Sequence, residues 1–238
     1  MGKSNFSFKD LVVIYEDNHL IAVNKPAGML VQSDITGDIT LKELVQQYIK
    51  IRYKKDGDVF LGVLHRIDRP VSGVVIFART SKALTRMNEL MRDRQIDKKY
   101  LAICSHRPDE LSGNLRHFLI KDGDKNYTRA FNSKKSGSKE ALLSYNQIGE
   151  LDAKTLLEVF PKTGRPHQIR AQLGKIGCPI IGDLKYGAEY PMHDQSITLH
   201  CRSMSFIHPT KKEKVVITAS PPNIYPWKIF DWDAEKAM

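Results

Sequence analysis

Near-continuous apolar runs rich in β-branched residues at 11–15 and 19–24 predict two short strands. Glu16-Asp17-Asn18 separates them with turn chemistry, so the pair reads as a hairpin, and Pro26-Ala27-Gly28 ends the second strand. A helical period follows. Leu41, Leu44, Val45, Tyr48 and Ile49 form one apolar stripe at helical spacing, which predicts a helix over 41–52. Thr40 with Glu43 three residues later forms a capping box, and the basic run 50–55 suits the helix C-terminus.

The β-rich run 73–79 predicts a strand, and it feeds a helix over 82–94 with Ala83, Leu84, Met87, Leu90 and Met91 on one face. Thr80 or Ser81 is its N-cap. Residues 98–105 read as a strand, and 111–160 as several more, with loops at 121–125 and 132–139. Ile169, Leu173 and Ile176 predict a helix over 166–176, with Pro166 in its first turn and Gly177 at its end. Strands are expected at 197–201, 203–207 and 214–219. Strands outnumber helices without alternating with them, so the class is α+β. No linker or repeat divides the chain, which predicts one domain over 1–238.

Composition narrows the function. The 238 residues carry a formal net charge of +10, which favours a polyanionic partner. No apolar run approaches the roughly 18 residues of a membrane span, and the polar start at 1–10 shows no signal peptide. Cys104, Cys178 and Cys201 are odd in number and form no C-x-x-C pair, so they read as reduced structural thiols of a cytoplasmic protein. His193, His200 and His208 lack zinc-ligand spacing, and no phosphate loop or dinucleotide fingerprint is present.

Three segments could carry chemistry. Residues 62–73 put His65, Arg66, Asp68 and Arg69 in a turn between apolar strands, with Pro70 and Gly73 shaping the backbone. Asp68 suits a nucleophile or a base, and equally a turn cap paired with a nearby arginine. On the strand at 98–105, Lys98, Tyr100 and Ala102 share one face; Tyr100 is either a stacking platform for a base or a half-buried strand residue. In Thr163-Gly164-Arg165-Pro166-His167-Gln168-Ile169-Arg170, a helix starting near Pro166 puts His167 and Arg170 on one face. The helix N-terminal N–H groups with Arg165 and His167 form either a phosphate seat or a solvated basic helix start, and Arg170 is placed to reach a buried carboxylate.

Together these segments resemble the RluA-type family of RNA pseudouridine synthases. That family's H-R-L-D-x-x-T-S-G stands here as His65-Arg66-Ile67-Asp68-Arg69-Pro70-Val71-Ser72-Gly73, its K-x-Y-x-A as Lys98 to Ala102, and its T-G-R-x-H-Q-I-R as Thr163 to Arg170. G-x-P-I-x-G-D-x-x-Y-G follows from Gly177 to Gly187, and Tyr15-Glu16-Asp17 through Val23-Asn24-Lys25-Pro26-Ala27-Gly28 is similar to the family's opening strands. The match covers about 11–219. Ile67 replaces the usual Leu, and Val71 the common Thr.

The resemblance implies a mixed, largely antiparallel sheet flanked by helices and loops around a central RNA-binding cleft, without a separate S4-type domain. It implies isomerisation of uridine to pseudouridine in ribosomal or transfer RNA, with no cofactor and no metal; a monomer is expected because no interface stripe stands out. Asp68 would attack the uracil or deprotonate the ribose. Tyr100 would stack on the flipped uracil, Arg170 would pair with Asp68, and Arg66 would fill the vacated space. His65, Arg165, His167 and Gln168 join the substrate-binding set. The reaction breaks C1′–N1 and forms C1′–C5 with no net redox change, so its balance needs no nicotinamide or nucleoside triphosphate. Lys50, Arg52, Lys54 and Lys55, with Lys134, Lys135 and Lys139, suit phosphate contacts. The competing reading is a non-catalytic RNA-binding or ribosome-assembly protein on the same scaffold. A glycosidase or nuclease lacks its second carboxylate or metal cluster.

Overall fold

A computed structural model describes residues 6–232, so residues 1–5 of the polar start lie outside the described residues. In chain order the elements are β1 (Val12–Glu16), β2 (Leu20–Lys25), α1 (Leu41–Arg52), β3 (Gly62–Val63), β4 (Ser72–Ala78), α2 (Ser81–Arg92) and β5 (Asp97–Cys104). There follow β6 (Ser112–Asp122), β7 (Tyr127–Phe131), β8 (Lys139–Leu151), β9 (Lys154–Pro161), α3 (Gln168–Lys175), β10 (Leu199–Ile207) and β11 (Lys214–Thr218). The α+β expectation holds: strands dominate and do not alternate with helices. The described residues form two compact units, 6–97 with 201–221 and 98–200 with 222–232.

In the first unit the strand order is β1-β2-β4-β10, with β3 beside β4 and β11 beside β10. The expected hairpin is β1–β2, antiparallel, with Ile21 opposite Glu16. Asp17 makes its turn, accepting from the backbone N–H groups of His19 and Leu20, both at 2.8 Å. All seven residues of β4 are buried, so both of its faces are covered. Gly73 permits this packing: a Cβ there would lie 2.4 Å from the Cys201 carbonyl oxygen on β10, and its φ is +117°.

The capping box of α1 is present in both directions: Glu43 N–H donates to Thr40 Oγ1 at 3.3 Å, and Thr40 N–H to Glu43 Oε2 at 2.8 Å. Leu41, Leu44, Val45 and Ile49 bury the predicted stripe. Thr80 caps α2 by accepting from Ala83 N–H at 3.2 Å.

The second unit orders its strands β5-β9-β8-β6-β7, with every ladder antiparallel. Leu101, Ile103 and Leu156 pack with Trp227 and Phe230 from the chain's end. A second cluster joins Leu119 and Ala141 of the sheet to Ala171 of α3 and to Tyr186.

Two expectations are corrected. Residues 197–201 and 203–207 are not two strands; a single β10 runs Leu199–Ile207. Arg202 lies within it, and its guanidinium donates to the Ala219 carbonyl at 2.8 Å. Likewise α3 begins at Gln168, so Pro166 precedes the helix and does not occupy its first turn. His167 takes φ +53°, outside the helical region, and ends the preceding turn.

Candidate active site

Asp68 sits in the loop 64–71 that joins β3 to β4, half-buried, with its carbonyl accepting from Val71 N–H at 3.0 Å. The loop is anchored from below by apolar side chains: Ile67 is 7% and Val71 2% exposed. At Val71 a threonine hydroxyl would need a buried partner, whereas valine needs none. His65 leans back onto the strand, its Nε2 accepting from Ile76 N–H at 3.1 Å, which leaves the proton of a neutral ring on Nδ1. Arg66 is exposed.

Sequence reasoning passed over the residue beneath this loop. Lys25 ends β2 and is fully buried. Its ammonium donates to three carbonyls, Met29 at 2.8 Å, Pro26 at 2.9 Å and Arg69 at 3.2 Å. Burial pushes its pKa down to about 7; the negative charge of Asp68 opposes this, and Arg69 adds to it. Arg69 completes the stitching: its Nε donates to Gly28 O at 2.9 Å, its carbonyl accepts from Gly28 N–H at 2.8 Å, and its guanidinium pairs with Asp38 at 2.8 Å. The loop bearing Asp68 is thereby tied to the 26–38 segment. The available signal was a lysine closing an otherwise apolar strand immediately before Pro-Ala-Gly.

In the second unit Tyr100 lies half-buried on β5 opposite Val159 of β9, between half-buried Lys98 and buried Ala102 on its own face. Arg170 is buried in α3 and forms a two-point ion pair with buried Asp183, Nε to Oδ2 at 2.6 Å and Nη2 to Oδ1 at 2.8 Å. The spacing reading of Arg170 as a residue that reaches a buried carboxylate is met by Asp183. A solvated helix start is excluded, since residues 168–173 are all buried.

The other residues of this motif shape its turn. The Gln168 amide accepts from Thr163 Oγ1–H at 2.7 Å and Arg165 N–H at 3.0 Å, and donates to Leu142 O at 3.0 Å. Arg165 Nε donates to Glu140 O at 3.0 Å, and His167 Nδ1 lies 2.8 Å from the Tyr186 hydroxyl. Lys50, Arg52, Lys54, Lys55, Lys134, Lys135 and Lys139 are all exposed.

All three cysteines are buried and none is in a disulfide. Among the described residues no cluster of His, Cys, Asp or Glu is arranged to hold a metal ion, and no helix is long and apolar enough to cross a membrane.

A family model described as RNA pseudouridylate synthase matches residues 19–175, which include the loop of Asp68, the strand of Tyr100 and the turn and helix of Arg170. The chain belongs to this family. It is 30% identical over 215 residues to ribosomal large subunit pseudouridine synthase C of Buchnera aphidicola subsp. Baizongia pistaciae, covering 87% of this chain and 66% of that protein. It is 29% identical over 248 residues to tRNA pseudouridine synthase C of Vibrio parahaemolyticus, covering 95% of this chain and 97% of the relative. The fold is shared with the solved structure of human RNA pseudouridylate synthase domain containing 4, at TM-score 0.76 and 22% identity over 92% of this chain and 91% of the other.

Proposed function

We propose that this chain is an RNA pseudouridine synthase that isomerises uridines in ribosomal or transfer RNA, with Asp68 as the reacting carboxylate. The reading is carried by Asp68 itself: a half-buried aspartate on a loop held by a fully buried lysine, in the family's motif position. Binding a polyanion needs no aspartate there, which favours catalysis over the non-catalytic alternative.

Tyr100 is proposed as the ring that stacks on the flipped uracil, and Arg170 as the guanidinium that pairs with Asp68. Unstacking a paired uridine costs a few kcal/mol, and Arg66, exposed two residues from Asp68, is proposed to occupy the vacated space. His65, Arg165, His167 and Gln168 complete the proposed substrate set, Gln168 acting through the turn it holds. The exposed lysines are proposed to neutralise phosphates, each steepening the salt dependence of single-strand binding by about 0.7 in log–log slope. The single-domain organisation, a monomeric state and cytoplasmic location belong to the same proposal.

The deciding experiment is Asp68→Asn, with carbodiimide mapping of pseudouridine in transcribed large-subunit ribosomal RNA and transfer RNA. The expected variant folds and binds RNA but makes no product. Undiminished product would remove Asp68 from the mechanism, and absence of product from the wild-type chain in both RNAs would remove the activity.

A further inference from the structure

The 3₁₀ turn Leu184–Tyr186 lies against α3. A Cβ on Gly174 would lie 2.5 Å from the Tyr186 carbonyl oxygen, so only glycine allows this approach. Asp183 and Tyr186 are three apart on the turn, and His167 and Arg170 are three apart at the start of α3. The two pairs meet in register: Asp183 takes Arg170, and Tyr186 takes His167. The Tyr186 ring also stacks on Tyr127 at 4.9 Å and 13°, and the Arg170 guanidinium carbon stands 5.0 Å from its centroid.

His167 is held at a local cost. It is a non-glycine residue at φ +53°, and it occupies the N-cap of α3 without making a side-chain cap. Serine or aspartate would serve that position better as a cap, and glycine or asparagine would suit the backbone better. Instead the imidazole turns onto Tyr186. The buried Tyr186 oxygen accepts from Thr128 N–H at 2.8 Å, and His167 Nδ1 lies 2.8 Å from the same hydroxyl, within reach of its O–H. A neutral His167 with Nδ1 accepting carries its proton on Nε2.

We propose that Tyr186 is a positioning residue for RNA recognition: one hydroxyl locks the His167 ring in a single orientation and in the Nε2–H tautomer, making it a neutral N–H donor toward an oxygen of the RNA backbone. This deepens the proposed function and rests on its placement of His167 in the substrate set. Backbone strain of this kind persists where the surrounding structure enforces it, and here the enforcing contact is a buried hydroxyl.

The test begins with the unaltered full-length protein, labelled with 15N-histidine and assigned against His167→Asn, since asparagine tolerates positive φ. His167 is expected to show an acceptor Nδ1 and a protonated Nε2; a protonated Nδ1 in the neutral ring overturns the proposal. The second arm is a mutant cycle using in vitro transcribed large-subunit ribosomal RNA and transfer RNA. Tyr186→Phe keeps the ring contacts and removes only the oxygen. It is expected to raise KM and the RNA dissociation constant about three- to tenfold, the worth of one hydrogen bond, with kcat unchanged. In the His167→Asn background the same substitution is expected to add nothing. Equal losses in both backgrounds would assign Tyr186 a purely structural role and overturn the proposal, as would no loss in either. A wild-type chain that binds RNA without forming pseudouridine would sink the proposed activity, while the tautomer and the binding cycle would still judge Tyr186.

Discussion

The Arg170 guanidinium meets the Asp183 carboxylate edge-on, through hydrogen bonds of 2.6 and 2.8 Å, with both side chains almost wholly withdrawn from solvent. A pair this buried is costly to break, because the surviving partner keeps its charge without its counter-ion. Asp183→Asn is expected to cost about 3–5 kcal/mol in urea unfolding. Arg170→Lys keeps the charge and loses the two-point geometry, so it is expected to be destabilising as well. A loss below about 1 kcal/mol for Asp183→Asn would make the pair no stronger than a surface ion pair.

Lys25 is the second buried cation with a defined task. Lys25→Met leaves the Pro26, Met29 and Arg69 carbonyls without their donor, and about 2–4 kcal/mol of stability is expected to go with it. The pH dependence has a definite sign. The unfolded lysine holds its proton to about 10.5, whereas the folded one releases it from about 7, so the unfolded chain binds more protons between these values. The Lys25 contribution to stability therefore rises with pH across that window. Urea midpoints of the wild type and Lys25→Met, compared through it, should converge at low pH and separate as pH rises; parallel profiles would show that the lysine does not titrate there.

Gly73 admits no side chain. Its φ of +117° disfavours any L-residue, and an added Cβ would lie 2.4 and 2.5 Å from backbone atoms of Cys201. Gly73→Ala is expected to cost at least about 2 kcal/mol, because backbone on both sides must move. Thermal melting followed by circular dichroism measures it, and a melting temperature equal to wild type would contradict the close approach.

Asp17 gathers four donors onto one carboxylate. Its Oδ1 takes the His19 and Leu20 amides, while Oδ2 takes the Tyr15 hydroxyl at 2.9 Å and Lys211 Nζ at 3.2 Å, with His208 Nε2 3.0 Å away. Burial alone would raise its pKa, but these bonds outweigh burial and bring it from 3.8 to about 2. With the folded value below the unfolded one, the stabilisation is complete above pH 3.8 and is lost as pH falls toward 2. Asp17→Asn is expected to destabilise the protein at neutral pH and to flatten the acid limb of its stability profile. An acid limb identical to wild type would mean the carboxylate does not carry that dependence.

The chain's local order is written in its periodicity and caps. The stripe of α1, its Thr40–Glu43 box and the Asp17 turn each depend on residues within a few positions of one another, and all three are found where the pattern puts them. The candidate site is legible for the same reason: Asp68, Tyr100 and Arg170 stand in short motifs whose spacing survives without any knowledge of packing. Long-range partners leave no such mark. The charge that answers Arg170 stands thirteen positions on, and the acceptors of Lys25 include a carbonyl forty-four positions away. At the start of α3, Gln168 folds back on Thr163 and His167, at φ +53°, turns its ring onto Tyr186. Periodicity reports which face of an element is dry. Which buried charge finds a counter-ion, and which backbone bends to meet it, is settled only when distant segments close-pack and every buried donor must find an acceptor.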